Sequence, residues 1–355
     1  MEMKETFASR LRSLRIMKGY SFRELSEAMG GVVSAQTLAN YESKISFPDS
    51  DVMSILLKTL NASYDDVFKP IRIQSKDVEF SFRKKQSLGK KSDESLRRIA
   101  IDKAEKYLDI EDTLNMKAKQ LPDISTIIVE DFASAEKVAL LFREMMNLGQ
   151  DPIPNVYILL DKMGIKVFQK SFDTRFDALS FSCEGKHFVM INTNLGINER
   201  IRFTLLHEVG HILMNIPDSI NDKVVEKLCH RFASNALLPP VVLKERLGQK
   251  RIGIAPQELA YIQSEYGISI PAIMVSAKDQ GIITEGNLTS FYKKINAFAN
   301  FKDYVNKSRF CQEEAESGFE SLVYRALLSE IISASKAAYL LDDSVDNVVN
   351  HINMM

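Results

Sequence analysis

Residues 202–215 read RFTLLHEVGHILMN, and this stretch decides how the chain is interpreted. Its centre, residues 207–211, is an HExxH motif. On a helix, side chains four residues apart lie on one face, so His207 and His211 can bind the same zinc ion. Glu208 is placed to act on water at the metal rather than on the metal itself. The motif therefore predicts a zinc site of the metallopeptidase type.

The next predicted helix, residues 224–238, carries the candidates for a third ligand. A catalytic zinc site needs three protein ligands and one open position for water. Glu226 is the favoured candidate, but Cys229 and His230 lie within one turn of it and are also chemically able ligands. A thiolate ligand would make the bound water less acidic, and a cysteine is more commonly a small buried apolar residue.

Together the two helices resemble a known family. RFTLLHEVGHILMN and the later EKLCHRFASNALLPP (226–240) are similar to the signature of the ImmA/IrrE zinc metallopeptidases. The preceding stretches DALSF and FVMIN are also similar to that family. The resemblance covers roughly residues 125–290.

The resemblance assigns roles to individual residues. It implies that Glu226 is the third ligand beside His207 and His211, and that Glu208 is the general base in peptide hydrolysis. His230 is a candidate catalytic residue, although the family usually has Asn or Asp at this position. Its role stays open between a partner of another residue, a stabiliser of the oxyanion and an alternative ligand.

A second motif lies near the N-terminus. Residues 21–42 have the layout of a helix-turn-helix, in which the second helix enters the major groove of DNA. Ser21 and Glu24 are spaced as a capping box, and Ser34 opens the second helix after a pair of glycines. The longer stretch 11–49 resembles the phage-repressor (XRE-type) helix-turn-helix family.

This second resemblance implies a DNA-contacting set and a homodimer. Gln36 and Asn40 suit bidentate reading of adenine, and Ala35 suits contact with a thymine methyl group. Thr37 and Lys44 are expected to reach phosphate. A homodimer follows because one such module reads only a half-site. The predicted set is Ser34, Ala35, Gln36, Thr37, Asn40 and Lys44. Phe22 departs from the family, which usually has a phosphate-contacting Gln there.

Composition sets wider limits. The chain of 355 residues is 45% hydrophobic and 26% charged, which is typical of globular proteins with two or three domains. Its three cysteines form no CxxC pair and favour a reducing compartment. With neither a signal peptide nor a long apolar run, the sequence predicts a cytoplasmic protein without membrane contact.

The predicted fold class is α+β, with four regions along the chain. Strands are expected at residues 78–85 and 165–172, and a hairpin at 178–192. The four regions are an all-α helix-turn-helix domain (1–70), a basic strand and helical connector (71–123), a mixed α/β zincin-like peptidase domain (124–290) and a helical C-terminal region (291–355).

The sequence thus favours a regulator that binds operator DNA and uses Zn²⁺ to cut a protein substrate such as a repressor or a toxin partner. The intact Glu208 favours catalysis, because a scaffold has no need of a general base. Two alternatives remain open. The zinc-peptidase fold can serve as a sensor or scaffold in a non-proteolytic transcription factor or antitoxin, or the metal site can stay empty in a protein that acts only through contacts.

Overall fold

A computed structural model describes residues 2–80, 90–117, 119, 121, 126–172, 176–312, 314 and 318–354. The chain divides into two compact units. The first unit comprises residues 2–79, 90–117 and 318–354, so it is built from both ends of the chain. The second comprises Phe80 and the described residues from 119 to 314.

Helices make up most of the described residues, and the strands form one mixed sheet, as the predicted fold class requires. The helices are α1 (Glu2–Met17), α2 (Phe22–Ala28), α3 (Ala35–Glu42), α4 (Ser50–Leu60), α5 (Tyr64–Phe68), α6 (Lys90–Thr113), α7 (Phe132–Met145), α8 (Val156–Lys162), α9 (Asn198–Leu213), α10 (Asp222–Leu237), α11 (Pro240–Leu247), α12 (Pro256–Tyr266), α13 (Ile270–Asp279), α14 (Glu285–Ala297), α15 (Ala299–Asn306), α16 (Gly318–Leu328), α17 (Ala334–Leu341) and α18 (Val345–Asn353). The strands are β1 (Glu79–Phe80), β2 (Ile165–Lys170), β3 (Ala178–Cys183) and β4 (Lys186–Asn192).

Helices α2 and α3 begin where their capping residues predict. The backbone N–H of Glu24 donates to Ser21 Oγ at 3.2 Å, and the N–H of Ser21 donates to Glu24 Oε2 at 2.6 Å, which completes the capping box. Between the helices, Gly30 and Gly31 have φ of +71° and +73°, a region that residues with a Cβ rarely enter. The pair of glycines therefore sets the turn between α2 and α3.

A buried ion pair joins the first helix to the third. The Arg15 guanidinium donates to both carboxylate oxygens of Glu42, at 2.6 and 2.8 Å, and to the Tyr20 carbonyl at 2.8 Å. Both charged side chains are largely buried. The Arg15 guanidinium also lies 4.1 Å above the ring of Phe22, so the residue that departs from the family pattern packs against this pair.

Replacing Glu42 by Gln should strip a buried arginine of its charge partner. Breaking a buried pair from one side typically costs about 3–5 kcal/mol, so we expect amide hydrogen exchange in α1–α4 to accelerate roughly 100-fold or more. The exposed pair Arg23–Glu27 offers a matched control, because Glu27→Gln should leave exchange unchanged. Equal exchange in the two variants would contradict a stabilising role for the Arg15–Glu42 pair.

Helix α6 belongs to the first unit and is tied to α1. Arg10 Nη1 donates to Glu105 Oε2 at 2.6 Å. The other oxygen of the same carboxylate accepts the backbone N–H groups of Arg72 and Ile73, both at 2.9 Å. This largely buried carboxylate therefore fixes α6 against both α1 and the chain that follows α5.

The sheet of the second unit has the strand order β1-β3-β4-β2. The hairpin predicted over residues 178–192 is confirmed: β3 pairs antiparallel with β4, and Glu184 and Gly185 form its turn with positive φ. Strand β2 pairs parallel with β4 and closes one edge. Helices α7, α8, α9, α10 and α13 contribute to the same apolar core as the sheet.

Two buried charged residues hold the first half of α9. Glu199 accepts hydrogen bonds from Gln263 Nε2 at 2.7 Å, Ser308 Oγ at 2.8 Å and the N–H of Arg309 at 2.9 Å. Burial raises the pKa of the Glu199 carboxyl, but these hydrogen bonds outweigh it and the pKa lies below its usual value. An anionic carboxylate thus anchors the helix that carries the HExxH motif.

Arg202, one turn further along α9, is completely buried. It pairs with Glu314 and donates to the Ile153 carbonyl at 2.7 Å. Gly267 has φ of +61°, and a Cβ there would lie 2.5 Å from Arg202 Nε. Only glycine therefore leaves space for the guanidinium at this position.

Some of the expected features lie outside the described residues. The strand predicted over 78–85 is seen at Glu79–Phe80, and residues 81–89, which include part of the basic connector, are not described. The predicted start of the peptidase domain at residue 124 also falls outside the described residues. The four domain boundaries stay a prediction.

Candidate metal centre and nucleic-acid interface

Helices α9 and α10 pack side by side and bring three potential ligands together. The Nε2 atoms of His207 and His211 lie 3.1 Å apart. Glu226 Oε2 lies 3.4 Å from His207 Nε2, and Glu226 Oε1 lies 3.4 Å from His211 Nε2. Among the described residues, these three side chains form the group of His, Cys, Asp and Glu whose ligand atoms converge closely enough to hold a metal ion.

The spacing of these atoms can be compared with the dimensions of a zinc site. Zinc–nitrogen and zinc–oxygen bonds of about 2.0–2.1 Å in tetrahedral geometry place neighbouring ligand atoms about 3.3 Å apart. The separations of 3.1, 3.4 and 3.4 Å agree with that value. Two imidazoles and one carboxylate are also a donor set that zinc prefers. The residues present therefore fit a three-coordinate protein site for this ion.

The charge of Glu226 is consistent with a ligand. Burial acts to raise the pKa of its carboxyl, but the hydrogen bonds and charge of His207 and His211 outweigh burial, and the pKa lies well below its ordinary value. The carboxylate is therefore anionic at neutral pH. Glu226 keeps about a fifth of its side chain exposed, whereas both imidazoles are almost fully buried.

Gly210 allows the two helices to approach at this point. A Cβ added to Gly210 would lie 3.3 Å from Phe232 Cδ1 and 3.4 Å from both Cα and Cβ of Cys229. These contacts leave no space for a larger side chain, because the neighbours on α10 belong to the packed core. The glycine inside the motif thus sets the distance across which Glu226 reaches the histidines.

Enlarging Gly210 should therefore weaken metal binding without touching a ligand. Gly210→Leu must push α10 away from α9, and we expect zinc affinity to fall at least tenfold, in the range seen when the support of a ligand is lost. The measurement is zinc titration against a competing chelator. Gly286 lies exposed in the first turn of α14 and provides the control, since Gly286→Leu should bind zinc like the native chain. Equal affinity in both variants would contradict this account of Gly210.

Glu208 lies on α9 with little exposure to solvent, and its carboxylate is held by the sheet. Ser180 Oγ on β3 donates to Glu208 Oε2 at 2.6 Å, and Ser180 is completely buried. The serine orients the carboxylate beside the three converging side chains. Ser180 was not among the predicted site residues; it lies inside the DALSF stretch, where the only sequence signal was a polar residue in a buried strand.

The two rival ligands occupy different places. Cys229 Sγ lies 3.2 Å from Nδ1 of His211, the ring nitrogen that does not belong to the converging group. The ring of His230 is half-buried, with its centre 4.7 Å from that of His207 and 5.7 Å from that of Phe203. Neither Cys229 nor His230 belongs to the converging group found among the described residues.

The predicted DNA-contacting residues lie along α3 and the turn after it. Ser34 is the N-cap of α3, and its Oγ accepts the N–H of Thr37 at 3.1 Å. Gln36 Nε2 donates to Asn40 Oδ1 at 3.1 Å, so the two amides are already aligned with each other. Gln36 is exposed, while Ala35 and Asn40 are partly so.

Lys44 follows α3 and is engaged within the first unit. Its Nζ lies 2.8 Å from Glu5 Oε1, and both side chains are about half exposed. The lysine hydrogen bond is the largest influence on the Glu5 carboxyl and lowers its pKa. Any contact of Lys44 with phosphate must therefore compete with Glu5.

Two family models match the regions that contain the candidate sites. Residues 160–275 match the family model described as the IrrE N-terminal-like domain, and residues 11–67 match a helix-turn-helix model. The chain fuses a helix-turn-helix domain to an IrrE-like domain. The fusion predicted from the sequence is thereby confirmed. No curated protein gave a significant match to the chain.

The IrrE-like match contains the complete converging group. It starts within α8, spans the sheet strands β2–β4, and continues through α9 and α10 into α13. This family of peptidase-type domains is typically metal-dependent, in agreement with the possible metal site of His207, His211 and Glu226. The helix-turn-helix match includes α2 and α3 and indicates a DNA-binding protein.

Within the part of the chain that the structure describes, no helix combines the length and the apolar composition that crossing a membrane requires.

Proposed function

We propose that this protein is a DNA-binding transcriptional regulator whose IrrE-like domain is a zinc-dependent endopeptidase. Its substrate is a protein such as a repressor or a toxin partner. The observation that carries the proposal is the convergence of two imidazoles and one carboxylate at distances of 3.1–3.4 Å. The adjacent buried Glu208 adds the group that hydrolysis needs beyond metal binding. We also propose that the protein works in the cytoplasm.

In this proposal His207, His211 and Glu226 hold the zinc ion. A zinc ion held there would supply Lewis acidity, lowering the pKa of water to about 7 and polarising a peptide carbonyl. Of the three side chains that would hold the ion, Glu226 is the most exposed to solvent.

Glu208 serves as the general base. Its carboxylate takes the proton from the attacking water and returns it to the leaving amine. The Ser180 hydroxyl donates to Oε2 and so fixes the plane of the carboxylate during both transfers. His230 is the candidate for stabilising the oxyanion, since its ring lies beside that of His207.

The test follows protein N-termini in cells that carry either native or Glu208→Gln protein, together with the zinc content of each purified protein. We expect both proteins to hold zinc and only the native one to generate new N-termini on a target protein. Unchanged regulation by zinc-loaded Glu208→Gln protein would favour the binding-only alternative, in which the fold acts as a sensor or scaffold.

The DNA-binding half of the proposal places α3 in the major groove of an operator. Gln36 and Asn40 read adenine, Ala35 contacts thymine, Thr37 and Lys44 reach phosphate, and Ser34 completes the contacting set. The exposure of Gln36 and its alignment with Asn40 support this arrangement. A homodimer binds two half-sites.

Replacing Gln36 by Ala should weaken operator binding and relax specificity at one base pair. A bidentate amide–adenine contact contributes about 1–3 kcal/mol, so we expect a loss of roughly 5- to 150-fold in affinity on the sequence selected by the native protein. Gln249 is exposed in the second unit, and Gln249→Ala should bind like the native protein. An equal and sequence-independent effect of the two variants would contradict base reading by α3.

A further inference from the structure

Cys229 makes a polar contact with His211. Neither metal coordination by the sulfur nor simple core packing would account for this contact. Its Sγ lies 3.2 Å from Nδ1 of His211, and the cysteine is completely buried between α9 and α10. A Cβ added to Gly210 would lie 3.4 Å from both Cα and Cβ of Cys229, so the two backbones pack closely here. The sulfur is therefore held in this place by the packing of two helix backbones rather than by a mobile side chain.

The direction of this hydrogen bond follows from the other nitrogen. A neutral imidazole carries one proton and one lone pair on its two nitrogens. Nε2 of His211 faces Nε2 of His207 and the Glu226 carboxylate, so in the metal-bound site the lone pair of His211 is needed on Nε2. The proton must then lie on Nδ1, and Cys229 Sγ is positioned to accept it.

Histidines that bind metals usually donate their second ring N–H to a carboxylate, a backbone carbonyl or water. Such a partner fixes both the tautomer and the ring orientation. Sulfur is a weaker acceptor than a carboxylate oxygen, but a cysteine brings no further carboxylate to the site. Cys229 can thus orient the His211 ring without a third carboxylate in the site.

We propose that Cys229 is a positioning residue of the metal site: its sulfur accepts the Nδ1–H of His211 and holds Nε2 toward the ion. This inference rests on the proposed zinc site and assigns Cys229 a place outside the ligand set. Nδ1 and Nε2 flank Cε1 and point outward in different directions, so a sulfur in contact with Nδ1 does not face an ion on Nε2.

The test compares zinc affinity in the full-length chain, measured by competition with a chelator, for native protein and three variants. Cys229→Ala removes the acceptor and should weaken zinc binding about tenfold, at the lower end of the range for partners of metal ligands. Cys229→Ser supplies a hydroxyl acceptor and should restore most of the loss. Cys183 is also buried but lies on β3, and Cys183→Ala should leave the affinity unchanged.

Other results would overturn the inference. Native affinity in Cys229→Ala would show that the contact is idle, and equal losses in the Ala and Ser variants would show that Cys229 acts through packing alone. In cobalt-loaded native protein, a thiolate charge-transfer band that disappears in Cys229→Ala would make the sulfur a ligand. Failure of the native chain to bind zinc would instead refute the zinc site itself, and the inference with it.

Discussion

Glu208→Gln is expected to lower kcat/KM for peptide hydrolysis by about 10²- to 10⁴-fold, the usual contribution of a general acid–base group. The amide keeps the size of the side chain and can still accept a hydrogen bond from Ser180, but it cannot take a proton from water. Zinc content should stay native, because Glu208 lies outside the converging group. The measurement is turnover of the protein substrate identified from its new N-termini.

A matched control separates this effect from a simple loss of charge. Glu245 is an exposed glutamate on α11, and Glu245→Gln should retain native turnover. Retention of turnover in zinc-loaded Glu208→Gln protein would remove the general base from the account. A loss of zinc in the same variant would assign Glu208 to metal binding instead.

Glu226→Ala is expected to weaken zinc binding by more than about 100-fold, beyond the range typical for partners that only support a ligand. The variant leaves two imidazoles, which are too few for a catalytic zinc site in a protein. It also removes the anionic group whose pKa the two histidines hold low. Competition with a chelator at fixed pH measures the change.

Glu136 provides the comparison for Glu226. It is also a partly buried glutamate, and it lies 3.8 Å from Arg231 of α10, away from the histidines. Glu136→Ala should leave zinc affinity unchanged even if stability falls. Comparable affinities of the two variants would show that the carboxylate of α10 does not bind the metal.

The positions of the main helices and of the hairpin can be predicted from the sequence, because the local patterns that specify them are strong. The capping box of Ser21 and Glu24, the glycine turn before Ser34 and the hairpin turn at Glu184 each act within a few residues. The spacing of the HExxH motif likewise requires only one helix. Such short-range patterns can be read without knowledge of the packing.

The contacts that orient Glu208 and His211 could not be predicted from the sequence in the same way. Ser180 and Glu208 are 28 residues apart, and their hydrogen bond exists because β3 packs against α9. Cys229 was considered as a ligand or as an apolar core residue, whereas its sulfur meets the far nitrogen of His211. These contacts depend on the angle and distance between elements, which no local pattern specifies.

In the DNA-binding domain, too, the sequence predicts where a residue lies but not which side chain it contacts. Phe22 stands where relatives usually have a polar residue, and the structure explains its presence through the Arg15 guanidinium above its ring. Lys44 lies where the resemblance places a phosphate contact, but it pairs with Glu5. The match to the family pattern therefore did not predict which side chain Phe22 or Lys44 contacts.

We expect two imidazoles and one carboxylate to bind zinc, with the sulfur of Cys229 outside the ligand set. X-ray absorption at the zinc edge of the purified, zinc-loaded chain tests this most directly. We expect nitrogen and oxygen neighbours at about 2.0–2.1 Å and two imidazole rings. A sulfur neighbour at about 2.3 Å, or fewer than two imidazoles, would contradict it.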